Sequence, residues 1–179
     1  MQKLIFSLFI LFLAVLPAFA QKGNNQFIPA LEIGLPTGDF NDFKTGIGVS
    51  AKALFGVGDH GQIGISTGYT GFKLKGSNDD YKLKISIIPI LVGYRYRFTV
   101  VYLEPQIGYG IYTTTIKTET GGTDSKSSSS DGGFTWTLGG GVQLGSVDLG
   151  VRYQAGYPGG GSIGIIGFHA GYVFRSGKN

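Results

Sequence analysis

Cysteine is absent, methionine and tryptophan each occur once, and only 15% of the 179 residues are charged. Without Cys there is no disulfide framework, no thiolate metal site and no cysteine to carry an N-terminal lipid anchor. The charge deficit is large against a usual share of about 25%. It does not signal disorder, because a chain that is 42% hydrophobic with a net charge of +4 can bury apolar surface. Long apolar runs are also missing beyond residue 20. The closest approach, 85–103, is broken by Pro89, Gly93, Arg95 and Arg97, so no transmembrane helix can be written there. What the chain has in excess is glycine, 32 residues against a usual share of about 7%, together with 13% aromatics. No Gly-X-Y period runs through it, which excludes collagen, and so many helix-weakening residues exclude a helical bundle. One β-rich domain is what length and composition leave. A pI near 9.2 raises nucleic acid as a partner. Lys22, Lys44, Lys52, Arg95 and Arg152 are scattered along the chain, however, and read as forming no patch, so no nucleic acid is expected.

Residues 1–20 read as an export signal. Lys3 gives a basic start, an apolar run extends from Leu4 to Leu16, and Ala18 and Ala20 form an A-x-A site before Gln21. Residues 21–179 are then expected to form a single domain.

Within that domain apolar residues recur at every second position in eight segments: 27–35, 47–55, 63–69, 88–98, 101–111, 134–144, 147–157 and 166–174. In one of them Ile88, Ile90, Val92, Tyr94, Tyr96 and Phe98 alternate with Pro89, Gly93, Arg95 and Arg97. A period of two means strands with two unlike faces, of about ten to twelve residues each, which suits a tilted bilayer crossing of about 9–11 residues. The connections alternate as well. Short turns are expected near 56–61, 99–100 and 145–146, and longer polar loops at 36–44, 75–82, 117–132 and 158–161. An up-and-down meander would gather the short turns at one end and the long loops at the other, as in an outer-membrane barrel. A two-residue turn at Thr99–Val100 sets Arg95 opposite Glu104 and Arg97 opposite Tyr102. A turn at Gly145–Ser146 sets Gln143 opposite Asp148.

Alternation alone fits a membrane barrel or a soluble barrel with an apolar interior. The polar face decides, because it carries mainly Gly, Ser, Thr and Gln with about one charge per strand, as suits the cramped lumen of eight strands. The aromatic ends of the apolar faces (Tyr94, Tyr96, Phe98; Phe134, Trp136; Tyr172, Phe174) match interfacial girdles. The expectation is an all-β protein, an eight-stranded antiparallel up-and-down transmembrane barrel.

The Pro36–Thr37–Gly38–Asp39–Phe40 loop, the Ile88–Pro89–Ile90 strand running into Tyr94–Arg95–Tyr96–Arg97–Phe98, and the Tyr172–Val173–Phe174 ending resemble the small outer-membrane β-barrel domains akin to outer-membrane proteins A and X. The loop and the Ile-Pro-Ile strand look most like the versions common in Bacteroidota. The resemblance implies insertion by the barrel-assembly machinery, a place among outer-membrane lipids at the bacterial cell surface, and a monomer. The Arg175–Asn179 tail departs from it, since such barrels often end on their last aromatic. No peptidoglycan-binding segment is seen, so an anchoring role is not expected.

Eight charged or titratable residues fall on the polar face: Glu32, Lys52, Arg95, Arg97, Glu104, Asp148, Arg152 and His169. They could form an ion path or an acid–base site. Buried charges must be paired, and the expectation is a structural lumen network, with Arg95 paired to Glu104 and Arg152 to Asp148 or Glu32. His60 sits in a turn. His169 lacks a serine two positions away, the arrangement that lipid A deacylase barrels use, and two separated histidines cannot assemble a metal site. No cofactor and no catalytic residue are expected. Gly139–Gly141 and Gly159–Gly161 lack the Lys-Ser/Thr of a phosphate loop. The longest loop, Thr118 to Gly133 with Ser127–Ser130, reads as a flexible hydrophilic cap or a recognition surface for an extracellular ligand. The function expected is that of a non-catalytic, porin-like barrel with a closed or plugged lumen and a structural or surface-interaction role. A periplasmic lipocalin-like carrier of an apolar ligand and a barrel enzyme acting on membrane lipids are the alternatives.

Overall fold

The computed structural model describes residues 25–76, 81–120 and 123–176; the expected export signal lies outside them. Nine strands run in chain order: β1 (Asn25–Thr37), β2 (Gly46–Val57), β3 (Gly61–Lys73), β4 (Tyr81–Arg97), β5 (Val101–Thr120), β6 (Thr123–Leu144), β7 (Val147–Pro158), β8 (Ile163–Tyr172) and β9 (Phe174–Ser176). A single 3-10 turn, Gly38–Phe40, lies between β1 and β2. From β1 to β8 each strand is hydrogen-bonded antiparallel to the next, and β1 pairs with both β2 and β8, so the sheet closes on itself. Strands β8 and β9 are one ribbon. Gly171 faces Ala30 and Phe174 faces Phe27 in the same register, with Val173 between them turned into the barrel. The barrel therefore has eight staves. Among the described residues no helix is long and apolar enough to cross a membrane; the strands cross it.

The hairpin registers follow from their turns. Arg97 faces Tyr102 across β4–β5, and Gln143 faces Asp148 across β6–β7. Parity then sorts the side chains. The apolar series faces outward, with Ile47 74% and Leu31 69% exposed, while Arg95 on the other face is fully enclosed. A soluble carrier would have its apolar faces inside, so the lipocalin-like alternative is overturned. Outward aromatics form two belts. Tyr94, Tyr96, Tyr172 and Phe174 lie near the short turns, and Tyr109, Phe134 and Tyr157 stand side by side across β5, β6 and β7 toward the other end. Trp136 of the expected girdle is half-buried and tilts against Tyr153, with ring centroids 5.7 Å apart.

Two sequence expectations are corrected. Strands β4, β5 and β6 have 17, 20 and 22 residues, well beyond ten to twelve. In β5 and β6 most of the excess is the segment read as the 117–132 loop. It is not a flexible cap, because β5 continues to Thr120 and β6 begins at Thr123. The run Thr113–Thr115 supplies β-branched residues, which favour strands. Each of these threonines faces a serine of 128–130, and the hydroxyls of Thr113 and Ser130 lie 2.8 Å apart. A serine tract appears flexible only when its cross-strand partner is out of view. The 75–82 loop is likewise shorter, since β4 starts at Tyr81.

Candidate functional site

The lumen is filled in layers, starting from the short-turn end. Ile28, Leu54 and Val173 make a buried apolar floor. An ionic layer lies above it. Arg95, fully enclosed, donates Nε–H to Glu104 Oε2 at 2.8 Å and Nη1–H to Asp148 Oδ2 at 2.8 Å. Lys52 reaches Glu104 from β2, with Nζ 2.9 Å from Oε2. The Tyr102 hydroxyl donates to Asp148 Oδ1 at 2.9 Å, and its ring lies under the Arg95 guanidinium, 3.7 Å from Cζ to the centroid. His169 Nε2 is 2.7 Å from the same Asp148 oxygen. Gln106 donates to Glu104 Oε1 at 2.7 Å.

Farther up, Arg152 Nη2 donates to Glu32 Oε2 at 2.9 Å. The top layer is apolar: Phe72, Ile87, Tyr112 and Ile165, covered by Phe40. Gly38 adopts φ +60, which suits glycine, and turns the chain so that Phe40 drops into the barrel mouth. There its ring meets Phe72 edge-on at 5.1 Å and stacks on Phe43 at 4.5 Å. The large inward rings fit because glycines face them. A Cβ on Gly141 or Gly150 would collide with the Tyr102 hydroxyl, and one on Gly156 would collide with that of Tyr112. Among the described residues, cavities with room for about one water each remain beside Glu32, Phe72 and Arg152 and beside Lys52, Glu104 and His169.

Of the eight residues read from sequence, the barrel brings Lys52, Arg95, Glu104, Asp148 and His169 into one cluster and pairs Glu32 with Arg152. Arg152 thus takes Glu32 as its partner and not Asp148. Arg97, half-buried at the end of β4, has no carboxylate partner among the described residues. Sequence parity set Tyr102 on the inward face but did not count it among the network residues. Phe40 was missed as an interior group, because nothing local marks it and it enters from a loop. The arrangement holds charge and hydrogen bonds in fixed geometry. His169 and Asp148 form an acid–base pair in outline, yet the third group they meet is the Tyr102 phenol, and no serine touches them among the described residues. Nor does any trio of His, Asp or Glu gather there as a metal site.

The outer membrane protein beta-barrel domain profile matches residues 8–174. No curated protein matches the chain by sequence. Among solved structures, the chain is similar to Ail, the attachment invasion locus protein of Yersinia pestis, in complex with the heparin analogue sucrose octasulfate. The identity is 16% and the TM-score 0.66, with 86% of this chain and 100% of that one covered. Neisserial surface protein A is 17% identical with a TM-score of 0.53, over 87% of this chain and 100% of that one. The N-terminal β-barrel domain of Pseudomonas aeruginosa OprF is 13% identical with a TM-score of 0.54, over 86% and 100%. At these identities the likeness is one of fold.

Proposed function

The chain belongs to the outer membrane protein beta-barrel domain family of the bacterial outer membrane, and from that premise we propose that it is a non-catalytic surface barrel whose lumen is plugged. In this reading residues 1–20 direct export and are removed, and the barrel is inserted as a monomer by the assembly machinery. Its loop end is then presented to the exterior as a structural or ligand-contacting surface. The single observation that carries the plug is Arg95, enclosed by Glu104, Asp148 and Tyr102 across the full width of the lumen. A conducting path would have to break these contacts, and removing one partner of a buried ion pair costs about 3–5 kcal/mol. Phe40 over Phe72 supports closure at the other end. His169 meets Asp148 and the Tyr102 phenol, whose hydroxyl also donates to Asp148, and no serine hydroxyl bonds to it among the described residues, which supports the non-catalytic reading. Ail, a barrel of this shape, carries a heparin analogue in its structure. Together with the protruding β5–β6 hairpin, this supports an anionic extracellular ligand at the loop end.

Planar-bilayer recording tests the plug. The folded protein is expected to give no stable conductance steps, and Arg95→Ala to open intermittent ones. Large, steady steps from the unmodified protein would overturn the reading.

A further inference from the structure

Basic residues that are scattered in sequence are gathered by the register. Lys73 of β3 stands directly opposite Lys84 of β4, and Lys117 of β5 directly opposite Lys126 of β6. Lys84 also faces Thr115, and Thr115 faces Ser128, so the two lysine pairs are one step apart on the same face of the sheet. Lys82 lies in the row of Lys117. None of the five basic residues read as scattered (Lys22, Lys44, Lys52, Arg95 and Arg152) belongs to this group, which the sequence reading did not consider.

This face is the upward continuation of the lipid-facing positions Tyr69, Ile88, Tyr109 and Phe134 along the same strands. All four lysines are exposed, and among the described residues no carboxylate pairs with any of them. Glu119 and Asp124 follow by register only at the hairpin tip, beyond the lysines. Lys84 leans toward the membrane, with Nζ 2.9 Å from the Tyr69 hydroxyl and 5.4 Å from the ring centroid.

Like charges set directly opposite each other weaken an antiparallel sheet. Two such pairs side by side call for an anion over them. The position on the barrel says which anion. Lys73 is four residues past the outward-facing Tyr69, roughly 13 Å along the strand, and with a tilt near 40° it stands roughly 10 Å above that residue. Lysine stems bend back toward the headgroup layer from such a position, as Lys84 does toward the Tyr69 hydroxyl. A ligand free in solution would have no need of a patch on the lipid-side face.

We propose that Lys73, Lys84, Lys117 and Lys126 form a docking surface for the phosphate groups of outer-leaflet glycolipids, clamping the protruding sheet to the membrane that surrounds the barrel. The proposal rests on the outer-membrane placement above and is independent of the plug.

The test uses the full barrel in phosphatidylcholine nanodiscs containing lipid A, or lipid A stripped of its phosphates. Native mass spectrometry counts the glycolipid retained after release. The unmodified barrel is expected to keep lipid A in preference to the dephosphorylated form and to lose it at high salt. The combined variant Lys73→Gln, Lys84→Gln, Lys117→Gln, Lys126→Gln is expected to retain at least about fivefold less, and the corresponding Lys→Arg variant to retain it as before. Equal retention by the glutamine variant, or equal retention of the dephosphorylated lipid, overturns the proposal. So does binding of a heparin fragment or an oligonucleotide that depends on these lysines while lipid A retention does not. Gel migration of each variant before and after boiling reports separately whether a membrane barrel has formed.

Discussion

Arg95 concentrates the energetics of the interior in one side chain. A guanidinium with no exposed surface is tolerated because Nε and Nη1 donate to Glu104 and Asp148, Nη2 makes an ion contact with Glu104, and the Tyr102 ring lies against it. Asp148 in turn serves Arg95, Tyr102 and His169. Replacing Asp148 by Ala therefore strands a buried cation, and a loss of about 3–5 kcal/mol is expected in urea unfolding from lipid vesicles. Arg152→Ala is expected to cost distinctly less, because the Glu32–Arg152 pair keeps some exposure. Equal losses for the two would contradict a network centred on Arg95. The Arg95–Glu104 contact was legible in sequence, since a two-residue turn fixes which residues oppose each other. The His169–Asp148 contact was not, because β7 and β8, though paired, are joined by a longer connection that fixes no register. The Lys52–Glu104 contact was not either, because it crosses the lumen between strands that never pair, and only closure of the barrel sets that distance.

At the scale of elements, the long hairpin of β5 and β6 is the part least tied to the barrel. From residue 123 to 132, β6 pairs with β5 alone, since its ladder to β7 begins at Gly133. Apart from the contacts of 117 and 118 with β4, residues 117–120 pair with 123–126. Excising 117–126 and joining Ile116 to Ser127 through an Asn-Gly turn, which suits a two-residue hairpin, removes no lumen contact. The shortened protein is expected to assemble normally, with unfolding stability within about 1 kcal/mol of the original, in the range of changes remote from buried features. A failure to insert would show that the hairpin takes part in folding. The serine tract illustrates why this element was misread. Composition reports that Ser and Gly are flexible, whereas its conformation is decided by the threonines opposite, about 15 residues earlier in the chain.

Considered as a whole, the molecule is an inverted globule. Large apolar side chains cover the outside, and charge is confined to a narrow interior and to the rims. Every backbone ladder closes, so no strand edge is left within the membrane band, as a lipid environment requires. Such a barrel is expected to resist dodecyl sulfate until heated. Unboiled samples should run faster on a gel than boiled ones, with the shift lost in a variant that prevents closure, such as deletion of β8. Identical migration before and after boiling would refute a closed membrane barrel.

The number of staves, the lipid-facing positions, the tight and loopy ends and the hairpin registers were determined by the amino-acid order itself, because alternation and turn length act between neighbours in sequence. The abundance of glycine and the shortage of charge share one cause that parity already reveals: a narrow lumen beside an apolar exterior. Tertiary structure alone decided three things. It placed Phe40 over Phe72 as a lid, brought Lys52 and His169 from distant strands to the same ionic layer, and aligned four lysines across β3 to β6. Each depends on the stagger between staves or on a loop folding inward. These distances are set when the sheet closes, and no local pattern in the chain encodes them.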